Sequence, residues 1–165
     1  MRVVSVVVVV AAVFTSAGCQ QGAANVCDLS TELPSEEEVG LGRGRADRSD
    51  GGELNEPNST WKPASAITIG TLTINGNTDE AGLDVDDLIS AGTFPICQRL
   101  GARDERTASA DLAAENVRTD ATHTGSLSIL GLEDDVLIGR FQVDLAGGGN
   151  ELSLDNGAFR LTRRP

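Results

Sequence analysis

The chain of 165 residues has no tyrosine, one tryptophan, four phenylalanines and a single histidine, and its only lysine is Lys62. With aromatics at 3%, any core it builds must be aliphatic and light. One histidine and three cysteines cannot assemble a histidine-rich zinc site. No G-x-S-x-G elbow accompanies His123, so a Ser-His-acid triad has no nucleophile in its usual setting. His123, in "DATHTGSL", reads instead as a loop residue entering a strand. Cationic residues are also scarce: 13 Lys plus Arg against 25 Asp plus Glu leave a formal charge of -12. Such a surface repels phosphate, which excludes nucleic acid as a partner. Missing too is a long apolar run. The stretch from Val3 to Phe14 gives out after about a dozen residues, where a permanent span needs about 20.

What the amino terminus does contain is an export layout: a positive charge at Arg2, the apolar stretch, then small residues Thr15 to Gly18 immediately before Cys19. The stretch "SAGC", Ser16 to Cys19, resembles the lipobox of bacterial lipoproteins. Gly18 and Ala17 suit that family's small-residue sites and Cys19 its invariant position, while Ser16 stands where the family usually has Leu or another aliphatic. The resemblance implies cleavage of a signal peptide over 1–18, lipidation of the Cys19 thiol and acylation of the new amino terminus. Gln20 after the cysteine implies export onward to the outer membrane. Several acyl chains hold a protein on a bilayer where one does not, at roughly 0.8 kcal/mol per buried CH₂. The alternative is an ordinary secretory signal cut near Ala17, with Cys19 free or paired and the protein secreted.

From Gln20 to Ser59 the chain is rich in Gly, Ser and charge, as in "PSEEEVGLGRGRADRSDGGELNEPNS". Residues 19–60 therefore read as a lipidated amino terminus followed by a mostly disordered acidic tether, whose roughly 40 residues would reach on the order of 35 Å root mean square. "GLGRG" lacks the strand, the helix and the spacing of a phosphate-binding turn. Once Cys19 is assigned to lipid, Cys27 and Cys97 are the remaining pair in an oxidising compartment. A Cys27–Cys97 disulfide would close a long loop, stabilising by roughly 4 kcal/mol through the unfolded state. The other reading leaves Cys97 a buried thiol and Cys27 loose.

From Trp61 to Pro165 composition shifts to that of one globular domain of about 105 residues. Its organising feature is a pentapeptide, Gly, variable, Leu or Phe, variable, aliphatic: "GTLTI" at Gly70, "GTFPI" at Gly92, "GSLSI" at Gly125, "GRFQV" at Gly139 and "GAFRL" at Gly157. Period-two alternation puts the third and fifth residues on one face and Thr, Ser, Arg or Gln on the other. Five half-buried strands are expected. "GRFQVDLAGGGNELSLDNGAFRLTR" predicts a carboxy-terminal meander of three strands, with turns at the Gly run and at Asn156-Gly157. It should bury Phe141, Val143, Leu145, Leu152, Leu154, Phe159 and Leu161. "ERTASADLAAENV" suggests a short helix from the spacing of Ala110, Ala113, Ala114 and Val117 but also tolerates an extended strand, and "DVDDLISAG" suggests one helical turn. The fold class is mainly β: an antiparallel β-sandwich or small barrel behind a cleaved signal and a flexible tether. The G-x-F strand pairs resemble those of small uncharacterised bacterial lipoproteins with β-sandwich domains.

Candidate chemistry rests on carboxylates. "NGNTDEAGLDVDD" gathers Asn75, Asn77, Asp79, Asp84, Asp86 and Asp87, an oxygen-rich set of the kind that holds Ca²⁺, although the EF-hand register puts Glu80 where that loop needs Gly. Read plainly, it is a solvated acidic loop. "LEDDV", Glu133 to Val136, reads as an exposed turn between two strands. The expectation is a non-enzymatic, lipid-anchored envelope protein, a binding or structural module that meets the membrane through its lipid and another envelope protein or glycan through a sheet edge. The alternative is an envelope glycan hydrolase, which needs two loop carboxylates about 5 to 10 Å apart in a cleft.

Overall fold

The computed structural model describes residues 29–62, 66–76, 92–96 and 108–164. Cys19, Cys27, Cys97, Asn77, Asp79, Asp84, Asp86 and Asp87 lie outside the described residues, as do the signal segment and the helical turn expected in "DVDDLISAG". The protein is mainly β. In chain order the strands are β1 (Arg43–Arg48), β2 (Glu53–Pro57), β3 (Thr60–Lys62), β4 (Ala66–Ile69), β5 (Leu72–Gly76), β6 (Gly92–Ile96), β7 (Ala108–Leu112), β8 (Val117–Arg118), β9 (Gly125–Glu133), β10 (Val136–Gly147) and β11 (Asn150–Arg163).

Their pairings return to their starting point. From β11 they run through β3, β4, β5, β7, β6, β9 and β10 and back to β11, while β8 bridges β7 to β10 and the β1–β2 hairpin lies outside on β11. A ring of eight strands has an interior just wide enough for side chains to fill. The ring is mixed, not purely antiparallel. Two of its joints are parallel and short, β3 with β11 at Thr162↔Thr60 and Arg163↔Trp61, and β6 with β7 at Ile96↔Ala108.

The pentapeptides line the interior. Leu72, Ile74, Phe94, Ile96, Leu127, Ile129, Phe141, Val143, Phe159 and Leu161, the third and fifth residues of all five copies, are buried in one apolar cluster. Three copies open a strand or lead into one, at β5, β6 and β9, whereas "GRFQV" and "GAFRL" sit inside the longer β10 and β11. There the glycine shares the inward face with the Phe two residues on. Gly139 is the register partner of Phe159, and Phe141 that of Gly157. Each ring thus covers the glycine of the opposite strand, and the two rings meet tilted at 31° with centroids 6.4 Å apart. A chain with few aromatics fills its barrel by letting two strands come close where Gly faces Phe.

Three expectations need correcting. Asn156-Gly157 is not a hairpin turn, because β11 runs unbroken from Asn150 to Arg163. Asn156 takes φ 50° and is the extra residue of a bulge. Both neighbours slip there: Phe141 pairs with Gly157 but Val143 with Leu154, and Arg45 with Ala158 but Asp47 with Asp155. The hairpin signal is the left-handed backbone that Asn-Gly favours, and a bulge uses the same conformation. The segment given a short helix is instead β7, a single 3₁₀ turn at Ala113–Glu115 and β8. Ala108, Ala110 and Leu112 alternate into the core, so period two prevails over a helical spacing made of small residues.

The third correction concerns the tether. β1 and β2 fall within 19–60, so the folded domain begins before Trp61. β1 presents only Gly44 and Ala46 inward and is held mainly by backbone pairing to β11 and β2. A scarcity of apolar residues is compatible with a strand that adds to an existing sheet edge.

Candidate functional site

The acidic run before β1 is docked on the outside of the barrel. Ser35 opens one turn: its Oγ accepts the Glu38 N–H at 3.1 Å and its carbonyl accepts the Val39 N–H at 3.0 Å. This S-x-x-E arrangement is the start of a capping box. It aims Glu38 at Arg140 of β10, whose guanidinium grips the carboxylate with both fork nitrogens at 2.7 and 2.9 Å and donates from Nε to the Glu32 carbonyl at 2.9 Å. Arg160 of β11 reaches the Glu36 carboxylate at 3.2 Å and the Pro34 carbonyl at 3.4 Å, and Arg45 of β1 donates to the Glu38 carbonyl at 3.4 Å. Residues 32–39 form a strap across three adjacent strands.

The floor beneath the strap is apolar. Ile138 and Ala158, which point away from the barrel interior, are fully buried, as is Val39 of the strap, yet none belongs to the interior cluster. A second, small core therefore lies between strap and sheet. The guanidiniums are only partly satisfied by it. The Nε atoms of Arg45 and Arg160 are buried without a hydrogen-bond partner. An unmet buried donor of this kind costs about 1–3 kcal/mol.

The Arg140 fork, then burial working against it, sets the Glu38 carboxyl below its ordinary value of 4.5. A depressed carboxylate contributes stability that is present above 4.5 and is lost as the pH falls through its lower, folded value. The strap should therefore stay docked at neutral pH and lift in acid before the barrel unfolds. The exchange protection of the Val39 amide, taken relative to its intrinsic rate at each pH, should be lost at acid pH while that of Phe141 is kept; equal loss at both would contradict this.

Another polar cluster surrounds His123, which lies in the loop before β9 as expected. Asp120 accepts the His123 and Thr122 backbone N–H groups at 2.7 and 2.8 Å, and these two bonds hold its carboxyl well below the usual carboxylate range. His123 Nδ1 sits 2.9 Å from Asp120 Oδ1 and Nε2 sits 3.7 Å from Glu151 Oε1. Both ring nitrogens thus face carboxylates, an arrangement that secures a loop. Of the oxygen-rich set proposed for calcium, Asn75 is the described member, on β5 opposite Ala66 and Ser109. Among the described residues no group of three or more His, Cys, Asp or Glu is placed to hold a metal.

"LEDDV" is the exposed turn expected. Asp134 and Asp135 take φ 48° and 63°, the positive pair of a two-residue β9–β10 hairpin. Its tip is fastened to β3 and β11: Trp61 Nε1 donates to the Asp135 carbonyl at 3.0 Å, and Arg163 lies over the Trp61 ring.

Arg45, Arg140, Arg160 and Glu38 were not singled out by sequence reasoning. Their signals were present, Ser35-x-x-Glu38 as a cap and Arg140 and Arg160 at the outward positions of "GRFQV" and "GAFRL". What sequence could not supply is that β1, β10 and β11 lie side by side. No protein-family model, no curated protein and no solved structure matches the chain.

Proposed function

We propose that the protein is a lipid-anchored, non-enzymatic module of the bacterial cell envelope, held through Cys19 and presenting a barrel that meets other envelope components through its outer surface. The observation that carries the reading is the "SAGC" segment after an export layout. The barrel adds support. Its interior is occupied by its own Phe, Leu and Ile side chains, which leaves the outer faces as the surface on which partners can be met. A Cys27–Cys97 disulfide belongs to the same reading, because export delivers both thiols to an oxidising compartment.

The docked strap changes the geometry of anchoring. Only about 13 residues lead from Cys19 to Glu32, where the strap begins, so the stretched reach from lipid to strap is about 45 Å, where a free tether of about 40 residues would allow about 140 Å. The barrel is held close to the bilayer. Fractionation of the producing cell tests the reading: the wild-type chain should sediment with membranes and resist carbonate washing. Recovery in the wash would overturn it.

A further inference from the structure

We propose that the arginine face of β1, β10 and β11 is a docking site for an extended acidic segment of a partner protein, and that the chain's own strap is its resident, displaceable occupant. The inference stands whether or not Cys19 carries lipid. Charge is the first observation. In a chain of net charge -12, Arg45, Arg140 and Arg160 converge beside Arg43, the register partner of Arg160. A basic face on an acidic protein selects carboxylate-rich segments.

The fit is the second. The strap shows what the face accepts: a fork-bound carboxylate at Glu38, a main-chain carbonyl on the Arg140 Nε, and an apolar residue, Val39, that is buried, as are the outward-facing Ile138 and Ala158 of the sheet. Fork geometry favours a carboxylate over a point anion, and the apolar floor favours a peptide over a small ion.

The third observation is that the resident fit is incomplete. The Nε donors of Arg45 and Arg160 are buried without acceptors. Glu36 reaches Arg160 from a side chain that is 80% exposed. A segment that places carboxylates on those two donors gains bonds that the strap does not make, which gives it the advantage needed to displace an intramolecular competitor. The strap joins β1 through Gly40-Leu41-Gly42; Gly42 is held in place, its N–H donating to the Arg160 carbonyl at 2.7 Å and its carbonyl accepting the Ser59 N–H at 2.8 Å, so the strap can leave from Gly40-Leu41 without unpairing β1.

The test uses the full chain in detergent micelles and a fluorescent peptide of the strap sequence, STELPSEEEVG, read by anisotropy. The Glu38→Gln chain, whose own strap is weakened, should bind the peptide at least tenfold more tightly than wild type. Adding Arg140→Gln should abolish that binding, and Arg140→Lys, which keeps charge and loses the fork, should leave an intermediate affinity. These three variants should share the far-UV spectrum of wild type, and a double Glu36→Gln, Glu38→Gln chain should bind at least as tightly as the single variant. Equal affinity of wild type and Glu38→Gln, or binding that survives Arg140→Gln, would overturn the proposal. So would displacement of the peptide by equimolar inorganic phosphate, which would make the face a general anion site. Sedimentation of Glu38→Gln as a dimer that the peptide dissolves would also overturn it, by identifying the occupant as a second copy.

Discussion

Replacing Gly157 with alanine should lower the stability of the barrel by about 3 kcal/mol, a substantial share of what a single domain has in hand. A Cβ at this position would stand 2.5 Å from the Phe141 carbonyl oxygen and 2.6 Å from the Phe141 ring. The ring can turn only against Phe159 and the packed interior, and the carbonyl belongs to the β10 ladder, so the strands must part. The cost is steric, because Gly157 does not occupy the left-handed region. Gly149→Ala supplies the contrast. That residue, in the β10–β11 turn, has φ 87° and nothing within 4 Å of the added carbon, so only backbone strain of about 1 kcal/mol is expected. Denaturant titration of the two variants should rank them in this order. A reversed ranking would mean that the close approach of β10 and β11 does not organise the core.

Changing Cys19 to serine should move the whole population from the membrane fraction to the soluble one. Acyl chains on a thiol supply the membrane affinity in this reading, and serine offers no thiol to receive them. No helix among the described residues is long and apolar enough to cross a membrane in compensation. Among the described residues the exposed large apolar side chains are Leu33, Leu41 and Leu132. Full retention of the serine variant on washed membranes would contradict the anchor.

Much of the fold was legible in sequence. The alternation in "GTLTI", "GTFPI", "GSLSI", "GRFQV" and "GAFRL" identified all ten inward residues, because burial on a pleated strand repeats every second position whatever the topology. Conformation was legible where one backbone state serves one structure and not where it serves two. Asn156 marked a left-handed residue correctly and a turn wrongly. Composition misled at 29–60 for a different reason. A strand docked on a sheet edge and a strap fastened by guanidiniums need little apolar content, so β1 and the Glu38–Arg140 pair read as solvated chain. The arginine face depends on strands about 100 residues apart lying side by side, and no local pattern carries that information.

The most direct measurement of the account is the intact mass of the protein purified from membranes of the cell that makes it. The account predicts a chain that begins at Cys19 and is heavier than its residues by a thioether-linked diacylglyceryl group plus an amide-linked acyl chain. A mass equal to the residues alone, whether the chain begins at residue 18, at 19 or elsewhere, would contradict it.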